Sequence, residues 1–298
     1  MIKHILIISG FITAPLFAQS DSTGLPGDHF DLAGALELFS KSESPEAFEK
    51  AINSETGDQI INNLDLNEDG EVDYMRVVDH VDGFNHAIVL QAVLGENESQ
   101  DVAAIEIEKL KEGEASLQIV GDEDLYGKDY YVEPNDIGNT SGTEGKLISF
   151  NRIVLNVWLW PSVRFMYAPG YVVYVSPWRY RHYPGWWRPW RPVAWRVHYN
   201  RCRPFYRHHR VVHVHRTVHA HRITVVHRTT SPRVRTRYAA QHQRHQQRTQ
   251  QHSGQRHTPA PTQQRKAGGK GQSGNPRAGK QAGKTKPSGG AKPRGGKR

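Results

Sequence analysis

The sequence predicts an α+β fold: two short N-terminal helices packed on an antiparallel β-meander, followed by an extended aromatic-basic segment and a disordered basic tail. Three observations predict it. Apolar residues recur at helical spacing from Phe30 to Ile52, then alternate with polar ones from Val72. After Pro177 they give way to Trp, Arg and Pro, and from Gln241 the chain has almost no aliphatic residue.

Phe30, Ala33, Leu36 and Phe39 follow Asp28 at three-residue steps, so a first helix is expected with Asp28 as its cap. Ser44 is placed to cap a second, Pro45 suits its first position, and Phe48, Ala51 and Ile52 form its apolar stripe, with Gly57 beyond its end. Val72, Tyr74, Arg76 and Val78 then alternate with Asp73, Met75, Val77 and Asp79, which predicts a strand. Asp82-Gly83 is a hairpin turn signal, and 87–94 is the return strand. Ile105 and Ile107 are expected to face Leu117 and Ile119 across Glu112-Gly113-Glu114. A last apolar pair, 153–160 and 171–175, turns at Ala168-Pro169-Gly170.

Residues 1–18 read as a signal peptide: Lys3 and His4 precede an apolar run too short to span a bilayer. The expected organisation is then an acidic α+β domain at 19–176, a Trp/Arg/Pro and His/Arg/Val segment at 177–238, and the tail at 239–298. The protein is expected to be exported, to the periplasm, the outer envelope or the extracellular space, with no transmembrane span.

All 30 acidic residues lie at or before Glu144, whereas only seven of the 39 Lys and Arg do, so the net charge of +9 is the remainder of two large opposite charges. The basic half therefore meets an anionic partner or lies against the acidic half. Cys202 is the single cysteine, so no internal disulfide forms. Its neighbours Arg201 and Arg203 are expected to lower the thiol pKa. No Gly-x-Ser-x-Gly, phosphate loop, His-Glu-x-x-His or dinucleotide fingerprint is present, and the chain is read as non-enzymatic.

Asp65-Leu66-Asn67-Glu68-Asp69-Gly70-Glu71-Val72-Asp73 carries the clearest chemistry. Oxygens of Asp65, Asn67 and Asp69 point to one centre, Gly70 allows the sharp turn, and the Glu71 carbonyl and Asp73 complete the reach. Hard oxygen ligands favour Ca²⁺. The stretch resembles the first nine positions of an EF-hand loop and is similar to the loops of dockerin-like and FG-GAP repeats. It departs from the EF-hand pattern at position 12, where Arg76 replaces the bidentate Glu and a strand follows. The resemblance implies a weak structural calcium site. The acidic run Asp122-Glu123-Asp124, with Asp129, reads as a solvated turn.

In the basic half, Trp186, Trp187, Arg188, Trp190, Arg191, Trp195 and Arg196 are candidates for anionic-surface binding. Trp and Arg both favour a lipid headgroup zone, and the prolines between them block helix and central strand. The composition is similar to that of Trp/Arg/Pro-rich membrane-active peptides. The alternative is that this segment covers the acidic domain's own sheet. A six-residue quasi-repeat then places His213, His215, His219 and His221 on one face of an expected strand, where Zn²⁺ or Cu²⁺ is a candidate ligand. The tail is similar in composition to the basic tails of chromatin proteins, and its lysines and arginines suit phosphates. The leading function is thus a non-enzymatic, exported, envelope-associated protein with a structural calcium loop and a basic aromatic tail that binds anionic polymers or lipid headgroups. The alternatives are a His-repeat transition-metal binder and a polyanion or nucleic-acid binder.

Overall fold

Alternation after Val72 builds the centre of the molecule. In the computed structural model, which describes residues 22–55, 60–135, 146–149 and 152–256, β1 (Met75–Asp82), β2 (Asn85–Gly95), β3 (Glu98–Lys111) and β4 (Glu114–Gly121) form an antiparallel meander. Gly83 and Gly113 adopt φ of 60° and 76° at the β1–β2 and β3–β4 turns, where a side chain is strained. Ile105 pairs with Ile119 and Ile107 with Leu117, the expected register. β5 (Tyr131–Pro134) and β8 (His209–Val212) extend the sheet to six strands in the order β1-β2-β3-β4-β5-β8, every pair antiparallel. A separate ribbon pairs β6 (Lys146–Ser149) with β7 (Arg152–Leu155). The fold class is α+β.

One face of the sheet carries the core. α1 (Leu32–Lys41) and α2 (Pro45–Ile52) bury Leu36, Phe39, Phe48 and Ile52 in one cluster with Ile88, Leu90, Ile105, Ile107, Leu117 and Ile119. Each such side chain contributes about 1.5–3 kcal/mol by leaving water. Ser44 caps α2 by accepting from the Ala47 amide at 3.1 Å, as expected. The cap of α1 is Asp31, which accepts from Gly34 at 2.6 Å. Asp28 instead holds the segment before it, accepting from Ser22, Thr23 and Gly24. A buried carboxylate ties α2 to the sheet: Glu49 accepts from Tyr74 (2.7 Å), the Val77 amide (2.8 Å), Ser176 (2.9 Å) and Tyr174 (3.3 Å).

Strand parity sends Val89, Glu106, Glu108, Gln118 and Glu133 to the opposite face. This face is buried too, under α6 (Val218–His227), which packs on β1, β2 and β3. The acidic domain expected to end at 176 therefore does not end there. Its last strand, β8, and its second cover both come from the basic half.

Several local expectations are corrected. The last apolar pair is not a hairpin: β7 stops at Leu155, and Pro161 opens α4 (Pro161–Met166) at a position where its missing N–H costs nothing. Residues 174–176 lie along the edge of β1, with the Asp79 amide donating to Tyr174 and the Ser176 amide donating to Val77. The histidine repeat is helical from Val218, not a strand. Residues 239–256, expected in the disordered tail, continue α7 (Pro232–Arg256), because 233–253 contains no Gly or Pro and is rich in the helix formers Arg and Gln. Gly57, residues 1–18 and residues 257–298 lie outside the described residues.

Candidate functional site

The covered polar face is where the two charge halves meet. Glu106, fully buried on β3, receives hydrogen bonds on both carboxylate oxygens. His215 Nε2 lies 2.7 Å from Oε2, and the Thr217 hydroxyl donates to the same oxygen at 2.7 Å. His221 Nδ1 lies 2.7 Å from Oε1, where Thr224 donates at 2.9 Å. The two rings meet edge to face with centroids 4.2 Å apart, and His215 stacks on Tyr131 at 4.9 Å. Burial pushes the Glu106 carboxyl up, but the bonds from His215, His221 and Thr217 outweigh it and hold it below its usual range. The bond to Glu106 raises the His221 pKa despite its burial.

Two residues along β3, Glu108 does a second task. Its Oε1 accepts the amides of His219 (2.6 Å) and Ala220 (3.1 Å), the first-turn donors of α6 that have no intrahelical partner. Thr217, the N-cap residue, makes no cap bond because its hydroxyl is spent on Glu106. On β5, Glu133 is held by Arg210, through Nε and Nη2 at 2.9 and 2.6 Å, and by Arg216 at 2.9 Å. Asp101 accepts the Thr229 amide at 2.7 Å, and burial raises its pKa to about 6.

The acidic run at 122–124 is not a solvated turn. Asp122 caps α3 (Glu123–Tyr126), and Arg228 reaches Asp122 at 2.6 Å, Asp124 at 3.0 Å and Glu123 at 3.1 Å. Arg233 pairs with Glu98 (2.8 Å), Arg235 with Asp124 (3.0 Å) and Arg237 with Glu68 (3.3 Å).

Among the described residues one group of three or more His, Cys, Asp or Glu is arranged so that it can hold a metal ion: Glu106, His215 and His221, whose ligand atoms lie within 4.8 Å of one another. Of the four histidines singled out in the sequence, His215 and His221 are thus brought together. His213 instead lies 2.9 Å from the Asp129 carbonyl through Nδ1, and His219 engages Glu108 through its amide. Glu106 carries no sequence signal as a ligand, since it reads as an ordinary polar position between Ile105 and Ile107.

The stretch expected to bind calcium forms a tight turn in which its side chains bond one another and the turn's own amides, Asn67 Nδ2 donating to Asp69 at 2.9 Å. Asp65 accepts the amides of Asp69 (3.1 Å) and Gly70 (3.0 Å), Asn67 accepts that of Asp69, and Asp69 accepts that of Glu71. Gly70 supplies the turn at φ 86°. Asp73 is buried and accepts from Leu66 at 2.6 Å, whereas Glu71 is exposed. Burial, then the charges of Asp65 and Asp69, raise the Asp73 pKa. Arg76 is not at the loop, since its guanidinium reaches the Trp178 carbonyl. The cation beside the loop is Arg237, which donates to the Leu66 carbonyl.

The aromatic arm divides. Trp187 is buried against Tyr74 and Tyr183, so it offers no surface. The Trp190 carbonyl accepts from Val72, and Asn63 pins both backbone groups of Val193. Trp195 stacks on Tyr199 within α5 (Trp195–Cys202). Trp186 is 46% exposed, with Lys50 over its ring. Arg188 donates to the carbonyls of Gly185 and Trp187. Cys202 is buried beside His198, and burial pushes its thiol up, so the expected lowered pKa is reversed.

No family model, curated protein or solved structure matches this chain. Among the described residues, no helix is long and apolar enough to cross a membrane.

Arg228→Ala leaves three carboxylates around a vacated guanidinium. It is expected to lower unfolding free energy by about 2–3 kcal/mol in urea titration, below the full cost of a broken buried pair because Arg228 is 26% exposed. A change within about 0.5 kcal/mol, typical of surface sites, contradicts the arrangement.

Proposed function

We propose that this is a non-enzymatic, exported, envelope-associated protein that binds anionic polymers or lipid headgroups through an arginine-rich aromatic band. The observation that carries the reading is how the arginines divide. Arg210, Arg216, Arg228, Arg233, Arg235 and Arg237 are paired with carboxylates of the acidic half. Arg179, Arg181, Arg188, Arg191, Arg196, Arg201, Arg203 and Arg207 are exposed and have no carboxylate partner among the described residues. Arg196 and Arg203 lie seven residues apart along α5 and its C-cap, and so share a helix face. Exposed arginines beside Trp186 match the chemistry of sulfate, phosphate and carboxylate groups on a surface polymer. The charged, apolar start of the chain supports export.

Heparin is the probe. Full-length protein is expected to bind it, with Arg188→Ser/Arg191→Ser/Arg196→Ser weakening affinity and lowering the slope of log K against log salt by roughly 0.7–0.9 per lost contact. Wild-type affinity in the triple variant shows that the band is not the surface, and no binding by the intact chain to heparin or anionic liposomes defeats the reading.

Calcium at Asp65, Asn67, Asp69, Glu71 and Asp73 belongs to the same proposal, as a structural ion. The crowding of like charge supports it: beyond burial, the charge of Asp69 raises the Asp65 pKa, and the charges of Asp65 and Asp69 raise that of Asp73. Calorimetric titration is expected to give a dissociation constant on the order of 10⁻⁴ to 10⁻³ M, abolished by Asp65→Ala and Asp69→Ala. No heat at millimolar Ca²⁺ ends this claim.

A second reading, transition-metal handling by the histidine-rich segment, is favoured by the meeting of His215 and His221 on one carboxylate. Imidazole nitrogen with a single carboxylate suits Zn²⁺ or Cu²⁺.

A further inference from the structure

Resting on that second reading, we infer that Glu106, His215 and His221 form a three-ligand seat for one Zn²⁺-class ion, and that the ion fastens the basic segment to the acidic sheet. The three residues come from separate places. Glu106 lies mid-strand in β3, His215 in the link after β8, and His221 in the first turns of α6. An ion held by all three therefore bridges the sheet, the link and the helix. It locks α6, which packs on β1, β2 and β3 over the polar face.

The donors are already aimed. Both ring nitrogens point at the carboxylate from 2.7 Å, one at each oxygen, so an ion between them needs small side-chain shifts and no backbone movement. The ring of His215 is fixed by its stack on Tyr131. Thr217 and Thr224 donate to the two carboxylate oxygens and hold that ligand in orientation, the part that outer hydrogen bonds play at protein metal sites. Two nitrogens and one oxygen exclude a hard-ion preference for Ca²⁺ or Mg²⁺, and the set matches three-ligand zinc sites that keep a fourth position for water. Solvent reaches the seat from one side: His221 and Thr224 line a cavity of about 410 Å³ between α6 and the sheet. His213 is bonded to the Asp129 carbonyl, and the exposed ring of His219 lies outside the group, so neither takes part.

The test titrates the full-length chain with Zn²⁺ by calorimetry and follows thermal unfolding with and without the ion. One equivalent of Zn²⁺ is expected to bind tightly and to raise Tm. His215→Ala, His221→Ala and Glu106→Gln are each expected to weaken this binding by more than about 100-fold, beyond the 10–100-fold range of outer-partner changes, into which Thr224→Val should fall. His213→Ala and His219→Ala are expected to bind as wild type. Because Glu106 is buried, circular dichroism decides whether Glu106→Gln is folded. The partly exposed His221→Ala keeps the test decisive if it is not. Tight binding that is lost in His213→Ala or His219→Ala, but kept in His215→Ala and His221→Ala, overturns the seat and leaves the second reading standing. No binding of Zn²⁺ or Cu²⁺ by the intact chain overturns both.

Discussion

Carboxylates on the second face of the sheet cannot be covered unless the cover brings hydrogen-bond donors and positive charge. That constraint organises the molecule. Leaving an ionised carboxylate buried and unpaired costs several kcal/mol, so an apolar helix laid on Glu106, Glu108, Glu133 and Asp101 would destabilise the fold. The basic half satisfies each in turn. Two imidazoles and two hydroxyls serve Glu106, helix amides serve Glu108, guanidinium groups serve Glu133, and the Thr229 amide serves Asp101. The separation of charge along the chain thus becomes adjacency in space.

The same accounting separates what is spent from what is free. From Arg210 to Arg237 the basic side chains are largely consumed by the sheet, by α3 and by Glu68 of the 65–73 loop, whereas between Arg179 and Arg207 they face no carboxylate among the described residues. The aromatic arm between them and the core is fixed by backbone bonds at Trp190 and Val193 and by burial of Trp187. A fixed arm presents its arginines without the ordering cost that a flexible one incurs on binding.

The meander was legible because a period of two, bounded by Asp82-Gly83 and Glu112-Gly113-Glu114, leaves one register that buries Ile105, Ile107, Leu117 and Ile119 together. Ser44 and Pro45 announced α2 for equally local reasons. That the basic half lies against the acidic half was one of two readings open in the sequence, but the helical form of the cover was not legible, because its determinants are distant in sequence. Val218, Ile223, Thr224, Val225 and Val226 are strand formers, and α6 is helical because Glu108 caps its first turn and Ala220 and Ile223 bury three residues apart. At the metal-capable group, two histidines were visible and the carboxylate between them was not, since Glu106 lies more than a hundred residues earlier in the chain. The cation beside the calcium-like loop is likewise distant in sequence, Arg237 on α7, whereas Arg76 at position 12 reaches the Trp178 carbonyl.

Amide hydrogen exchange of the full-length protein tests the central claim most directly. If the basic segment is folded onto the acidic sheet, the amides of Arg216, Ala220, Thr229 and Ser231, each bonded to a side chain of the sheet, exchange nearly as slowly as those of β3 and β4. They remain protected in about 1 M salt, where exposed charges are screened beyond about 3 Å but buried pairs much less. Exchange of these four amides at the rate of an unstructured peptide, with β3 and β4 still protected, contradicts the account.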